Sequence, residues 1–226
     1  MKDLIKKYDI FQSLSPSDLS ILARAAMMKE LKKGEYLCHE GEKATHLYLL
    51  TQGKLKVVKH TSFGKDVILD IYAKGEMFLM EGVFDAEPQP ASAVAAEDSM
   101  VLLIEKRTFV RVMDQNPMMT RAVLSEMAHK MRGLTDQITD LSVGKVDYRI
   151  ANLMLKLGHK IGEEEGDQVK LNIHLSRQDI ADLTGTTIET AIRTMSRLAK
   201  QEVVKTTKDS ILILDRHRLE DIAAGF

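Results

Sequence analysis

Apolar positions along this chain follow three successive rhythms. Ser15-Pro16-Ser17-Asp18 followed by LSILARAAMMKEL reads as a capped N-terminal helix, with proline tolerated in its first turn. From Lys32 to Glu105 the pattern shortens to β-rich runs, HLYLL, KLKVV, DVILDIY and MVLLI, set between glycines at Gly34, Gly41, Gly53, Gly64, Gly75 and Gly82. Short strands divided by turn signals in this way predict a sandwich, jelly roll or small barrel, here a β-roll. Asn116-Pro117, a cap and a first-turn proline, opens the third rhythm. Leu124, Met127, Met131, Leu134, Ile138 and Leu141 recur at alternating steps of three and four, the a/d spacing of a coiled-coil seam. A helix packed on its own domain would need a similar stripe, and Gly133 weakens the helix. The pattern favours a helix–helix homodimer, which would present two copies of whatever follows about a two-fold axis.

After Gly144 the order is a helix YRIANLMLKLGHKIG, an acidic stretch GEEEGDQVK, a short strand LNIHL, two short helices within LSRQDIADLTGTTIETAIRTMSRL, and a hairpin around VVKTTKDSILILD. Such an order predicts a winged helix-turn-helix, and Glu163-Glu164-Glu165 reads as a solvated loop. Ser176 with Asp179, and Thr186 with Glu189, resemble capping boxes that start the two helices. Ile180, Ala181 and Leu183 can bury against Ala191, Met195 and Leu198, leaving Glu189, Arg193, Arg197 and Lys200 on the opposite face. A recognition helix uses such a face in the major groove: a carboxylate accepts from cytosine N4, and a guanidinium donates to guanine O6 and N7. Ser176, Arg177, Thr187 and Thr190 are candidates for phosphate contacts, with Arg197 beside them.

Composition narrows these readings without deciding them. With 226 residues and 44% hydrophobic content the chain can bury a core, and the formal net charge of -1 gives no bulk hint of nucleic acid. Any basic surface must be local. One cysteine, Cys38, cannot form an internal disulfide or supply the thiolates of a zinc or iron–sulfur site. No apolar run approaches the roughly 18 residues that span a bilayer, and MKDLIKKYDIF has no signal-peptide core, so a cytoplasmic protein without a membrane partner is expected.

A glycine-punctuated β-roll, a long dimer helix and the winged motif, in this order, resemble the CRP/FNR family of bacterial transcription regulators over essentially the whole chain. The most specific match is LSRQDIADLTGTTIETAIRTMSRL, and GEKATHLYLLTQGKLKV matches the β-roll strands. The resemblance implies an α+β protein: a cyclic-nucleotide-binding-like β-roll (jelly roll) over 1–115, a dimerisation helix over 116–143, and a winged helix-turn-helix over 144–226. A hinge is expected at Ser142-Val143-Gly144-Lys145. It implies a homodimer on double-stranded palindromic DNA, an unidentified small-molecule effector, and RNA polymerase as partner if the protein activates. Glu189 and Arg193 occupy the family's base-reading positions. Ile188 stands where cyclic-AMP-type members carry an arginine and FNR-type members an aliphatic residue, which suggests a TTGA-type half-site. Ile192 departs from the small or hydroxylic residue usual there and can meet a thymine methyl.

The stretch GEMFLMEGVFDAEPQPASAVAA corresponds to the family's phosphate cassette. Its glutamate position falls on Met80, with Glu81 adjacent, its arginine position on Pro90, and the adenine-contacting threonine and serine fall on Leu134 and Thr135. Without the arginine, a cyclic phosphate loses its charge-assisted contact, so no cyclic-AMP response is expected. The cysteine cluster of iron–sulfur members is missing too. Met77, Phe78, Met80 and Phe84 can line an apolar pocket or simply fill the core. Resemblance to haem- and nitric-oxide-responsive members leaves haem open as a cofactor, with His39, His46, His60, His129 or a methionine as axial candidates. A ligand-binding or protein-interaction module with a degenerate DNA face is the alternative. No enzyme is expected, because no paired carboxylates, nucleophile with base, or metal-ligand spacing stands out.

Overall fold

A computed structural model describes residues 1–61, 66–85 and 87–225, leaving Gly64 and the Val143 side chain outside the described residues. The chain divides into two compact units, Met1–Gly133 and Leu134–Phe226. The first opens with α1 (Lys2–Ile5) and α2 (Pro16–Arg24). Ser15 Oγ accepts from the Asp18 amide at 3.1 Å, the expected cap. The helix stops at Arg24, however, and AMMKEL forms a strand instead of a further turn. It pairs with the strand at Ser99–Glu105, and these tertiary ladder bonds outweigh the helix propensity of Ala, Met, Lys and Leu.

The β-roll consists of β1 (Ala26–Leu31), β2 (Tyr36–Cys38), β3 (His46–Gln52), β4 (Lys54–His60), β5 (Asp66–Ala73), β6 (Met77–Phe78), the short helix α3 (Glu81–Phe84), β7 (Ser92–Ala95) and β8 (Ser99–Glu105). They form two antiparallel sheets, ordered β1-β8-β3-β6 and β2-β7-β4-β5. Gly34, Gly41, Gly53 and Gly75 take positive φ between elements, whereas Gly82 lies inside α3. The expected turn at Gly82 is therefore a helix.

The continuous apolar run in β3 has a physical reason. Tyr48 and Leu50 face the second sheet in one core cluster, while Leu47 and Leu49 face α1, α2, α4 (Lys106–Asp114) and the following helix in another. A strand covered on both faces has no polar side to display. Helix α5 (Pro117–Val143) follows, with Met119 and Val123 buried against the first unit. Asn116 precedes it, but the Asn116 side chain does not cap α5. It donates to the Val112 carbonyl at 2.7 Å, closing the end of α4, while the Asn116 carbonyl accepts from Thr120 N.

The second unit contains α6 (Val146–Ile161), β9 (Gly162–Glu165), β10 (Gln168–Leu171), α7 (Arg177–Leu183), α8 (Ile188–Lys200), β11 (Val204–Thr206), β12 (Ile211–Ile213) and α9 (Arg216–Ala223). Its sheet runs β11-β12-β10-β9. The three glutamates expected in a loop thus form an edge strand, exposed as anticipated but paired with β10. The expected strand LNIHL likewise begins earlier and ends at Leu171. Pairing with β9 on one side and β12 on the other fixes that register.

Candidate DNA-binding interface and sensor site

Helices α7 and α8 are built on a shared apolar face. Ile180, Ala181, Ala191, Met195 and Leu198 are buried, and Leu183 is half-buried. At the start of α7 Ser176 forms the expected capping box: its Oγ accepts from Asp179 N at 3.0 Å and its own amide donates to Asp179 Oδ2 at 2.9 Å. At the start of α8 the cap lies one residue beyond expectation. Thr187 rather than Thr186 is the N-cap, its hydroxyl accepting from Thr190 N at 3.3 Å. Two consecutive threonines made the register ambiguous in sequence. The shift takes Glu189 out of the capping box.

Between the helices Gly185 has φ 56, and a Cβ there would fall 2.6 Å from Leu141 Cδ2. Both the left-handed backbone and the close approach require glycine. Leu141, expected as the last seam residue, therefore also rests against the turn of this motif, and Arg149 donates to the Gly185 carbonyl at 3.4 Å.

The solvent face of α8 carries Ile188, Glu189, Ile192 and Arg193, all exposed. Arg193 Nη2 donates to Thr190 Oγ1 at 3.1 Å, and Thr187 and Thr190 hydroxyls are 3.1 Å apart. Arg177 is half-buried, donates to Thr206 Oγ1 at 3.3 Å, and burial lowers its pKa. Arg197 is not simply outward: it forms an ion pair with Asp147 of α6, whose Oδ1 also accepts from Thr194 Oγ1 at 2.9 Å. Neither Asp147 nor Thr194 was legible as a partner of this face, because a contact between α6 and α8 leaves no mark in local periodicity.

On α5 the seam residues Leu124, Met131, Leu134, Ile138 and Leu141 are exposed, and Met127 is half-buried. The helix ends at Val143 and α6 begins at Val146, so Gly144-Lys145 link them within the expected hinge. A Cβ at Gly144 would lie 2.4 Å from the Tyr148 ring. Tyr148 donates to Asp140 Oδ1 at 2.9 Å, and Lys156 pairs with Asp140 at 3.1 Å.

Within the first unit the candidate effector residues divide between two cores. Met77 and Met80 are buried among the helices, whereas Phe78 is buried between the sheets. Adjacent strand residues point to opposite faces, which separates them. Phe84 meets Phe109 edge-on at 6.2 Å, and Glu81 and Pro90 are exposed. Pro90 contributes its carbonyl, which accepts from Lys59 Nζ at 2.8 Å. Leu134 and Thr135 are exposed on α5 in the second unit.

Sequence reasoning missed two groups in the first unit. Gln89 is 2% exposed, and among the described residues neither polar atom of its amide has a well-formed hydrogen bond. The Tyr48 hydroxyl lies beside it without a well-formed bond, and burial pushes that phenol up to about 12. Lys130 on α5 is half-buried, donates to the Met77 carbonyl at 2.6 Å and lies over the Tyr72 ring. Desolvation lowers its pKa.

The structure also gathers a serine, histidine and aspartate that sequence spacing did not reveal. His60 Nδ1 meets Asp66 and its Nε2 lies 3.2 Å from Ser92 Oγ. Ser92 is fully buried and its Oγ accepts from Glu40 N at 2.9 Å, so the hydroxyl is occupied as a strand tie. Among the described residues no cluster of three or more histidine, cysteine or acidic side chains could hold a metal ion. His39 stacks on Tyr36, His46 pairs with Thr45, and His129 is exposed on α5. No described helix is long and apolar enough to cross a membrane.

Residues 28–116 match the cyclic nucleotide-binding domain, and residues 148–222 match the Crp-like helix-turn-helix domain. The chain belongs to the CRP/FNR family of transcription regulators. This CRP/FNR regulator is 25% identical over 219 residues to the CRP-like cAMP-activated global transcriptional regulator of Mycobacterium tuberculosis, covering 97% of this chain and 98% of that protein. It is 28% identical over 215 residues to the Anaerobic regulatory protein of Bacillus subtilis, covering 91% and 90% of the two chains. Its fold is similar to that of FixK2 from Bradyrhizobium japonicum, with a TM-score of 0.76, 23% identity, and coverage of 87% of this chain and 96% of that one. The CRP/FNR regulator is thus a DNA-binding transcription regulator of a family that binds DNA as dimers.

Proposed function

We propose that this regulator binds a palindromic site as a homodimer, with two copies of α8 in successive major grooves about 34 Å apart. Glu189, Arg193, Ile188 and Ile192 read base edges, while Ser176, Arg177, Thr187, Thr190 and Arg197 hold phosphates. The observation that carries this reading is the division of α8. Ala191, Thr194, Met195 and Leu198 are buried, yet Ile188 and Ile192 stay 37% and 44% exposed beside Glu189 and Arg193. Two large aliphatic side chains in water suit thymine methyls in a groove. Capping does not spend the Ser176 hydroxyl either, since Ser176 accepts a backbone proton and keeps its own to donate.

The working division is a sensor domain over 1–115, a dimer helix over 116–143 and a DNA-binding domain over 144–226. The β-roll responds to a signal other than cyclic AMP, because Pro90 is exposed and offers no cation. The buried amide of Gln89, without a well-formed hydrogen bond among the described residues, is where the polar group of an effector would be met. RNA polymerase is the partner if the protein activates, the cytoplasm is the compartment, and no catalysis is assigned.

Randomised-site selection with the full chain tests the DNA reading. We expect inverted TTGA-type half-sites whose G·C pair loses its preference in Glu189→Ala or Arg193→Ala. Half-sites without any G·C position dependent on either residue would overturn it. Thermal shift with cyclic AMP and cyclic GMP tests the sensor reading, and stabilisation by either would refute it.

A further inference from the structure

A cavity of about 610 Å³ opens in the second unit where the end of α5, the Gly144-Lys145 link, the start of α6, the later turns of α8 and α9 meet. Its size falls in the range of sites for small organic ligands. Its walls are of two kinds. Tyr148, Leu198 and Ile222 supply apolar surface, and Lys145, Arg197 and Arg218 supply cations. One carboxylate, Asp147, stands among the described lining residues against those three cations. That carboxylate is already shared between Arg197 and the Thr194 hydroxyl. Arg218 reaches Asp221, outside the lining, only at 3.6 Å.

We infer that this cavity binds a small organic anion, a carboxylate or phosphate on an apolar body. The apolar part lies against Tyr148, Leu198 and Ile222, and the anionic group accepts from Arg218 and Arg197, with Lys145 adding charge. Guanidinium groups pair with both anion types through paired N–H donors, so the shared chemistry is an oxyanion. Asp147 competes with the ligand for Arg197. Occupancy joins the link after α5 to the last turns of α8, so a ligand that prefers one arrangement of these parts shifts the population toward it. That last consequence rests on the DNA-binding reading, whereas binding itself does not.

The test is a titration of the isotope-labelled full chain, followed by NMR, with benzoate and phenyl phosphate as probes and benzyl alcohol as neutral control. We expect saturable shifts for both anions at the Arg197 and Arg218 side chains and at Gly144, Lys145 and Gly225 amides. Benzyl alcohol should bind at least about tenfold more weakly, and Arg218→Gln should weaken benzoate by about the same factor. Asp147→Asn should tighten benzoate, because it frees Arg197. Absence of saturable binding, shifts that map elsewhere, or affinities indifferent to Arg218→Gln would overturn the inference. Promoter binding on the same samples separates the two readings: anion binding can hold when no DNA is bound, and can fail while DNA binding persists.

Discussion

Glu189 and Arg193 begin as charges one turn apart, a pair that an exposed helix can carry for a few tenths of a kcal/mol. What gives them meaning is what stands beside them: the α8 cap is Thr187, and Ile188 and Ile192 share their face. Arg193→Ala should cost about 1–3 kcal/mol of binding to the preferred site and relax preference at one base pair, read by anisotropy across single-substitution sites. In the first unit, Gln89 is a buried amide without a well-formed hydrogen bond among the described residues, a cost of about 1–3 kcal/mol for an unpaired polar group. Gln89→Leu should therefore leave the ligand-free protein as stable or more so by thermal melting, while abolishing the response to its effector. Cys38 adds a pH dependence. Burial pushes its thiol from an ordinary 9.0 to about 11, so the folded chain holds the proton where the unfolded chain has lost it. Stability from this group is complete below about pH 9 and falls as pH rises toward 11. Melting temperature against pH, with alkylation of Cys38 appearing only on unfolding, checks it.

Among elements, those with a strong internal rhythm were legible and those fixed by distant partners were not. The runs in β3, β4, β5 and β8 declared themselves by apolar content between turn glycines, and α8 by its amphipathic spacing. AMMKEL did not, since only pairing with β8 makes it a strand, and the triple glutamate became β9 only through β10. Helices α4 and α9 were not anticipated at all: each follows directly on a strand or hairpin whose signal dominated the reading. For the apolar candidates Met77 and Phe78, sequence alone does not say which sheet face each one takes, and they lie in different cores. The seam of α5 remains the most informative element. Its row of exposed apolar side chains over several turns is what a partner helix would cover. Ile138→Glu should shift the protein toward monomer in sedimentation velocity. Leu141→Ala should differ by also loosening the Gly185 turn, which would show as a lower melting temperature of the DNA-binding unit.

For the whole molecule, near-zero net charge has to coexist with DNA binding, so attraction to phosphate must come from local placement. Affinity for a specific site should fall steeply with salt, with a slope that shrinks by about one when a phosphate-contacting residue such as Arg177 is replaced. Titration across salt concentrations measures it. A chain so close to neutrality also gains little solubility from overall repulsion. In that setting the edge strand β9 takes on a further role. Glu163, Glu164 and Glu165 line a strand whose outer edge has no neighbour within its sheet. Consecutive carboxylates there would repel any equivalent strand arriving from another molecule and discourage edge-to-edge growth into aggregates. Concentrated stocks of a variant with threonine at all three positions should accordingly turn cloudy sooner, while the isolated molecule keeps its fold.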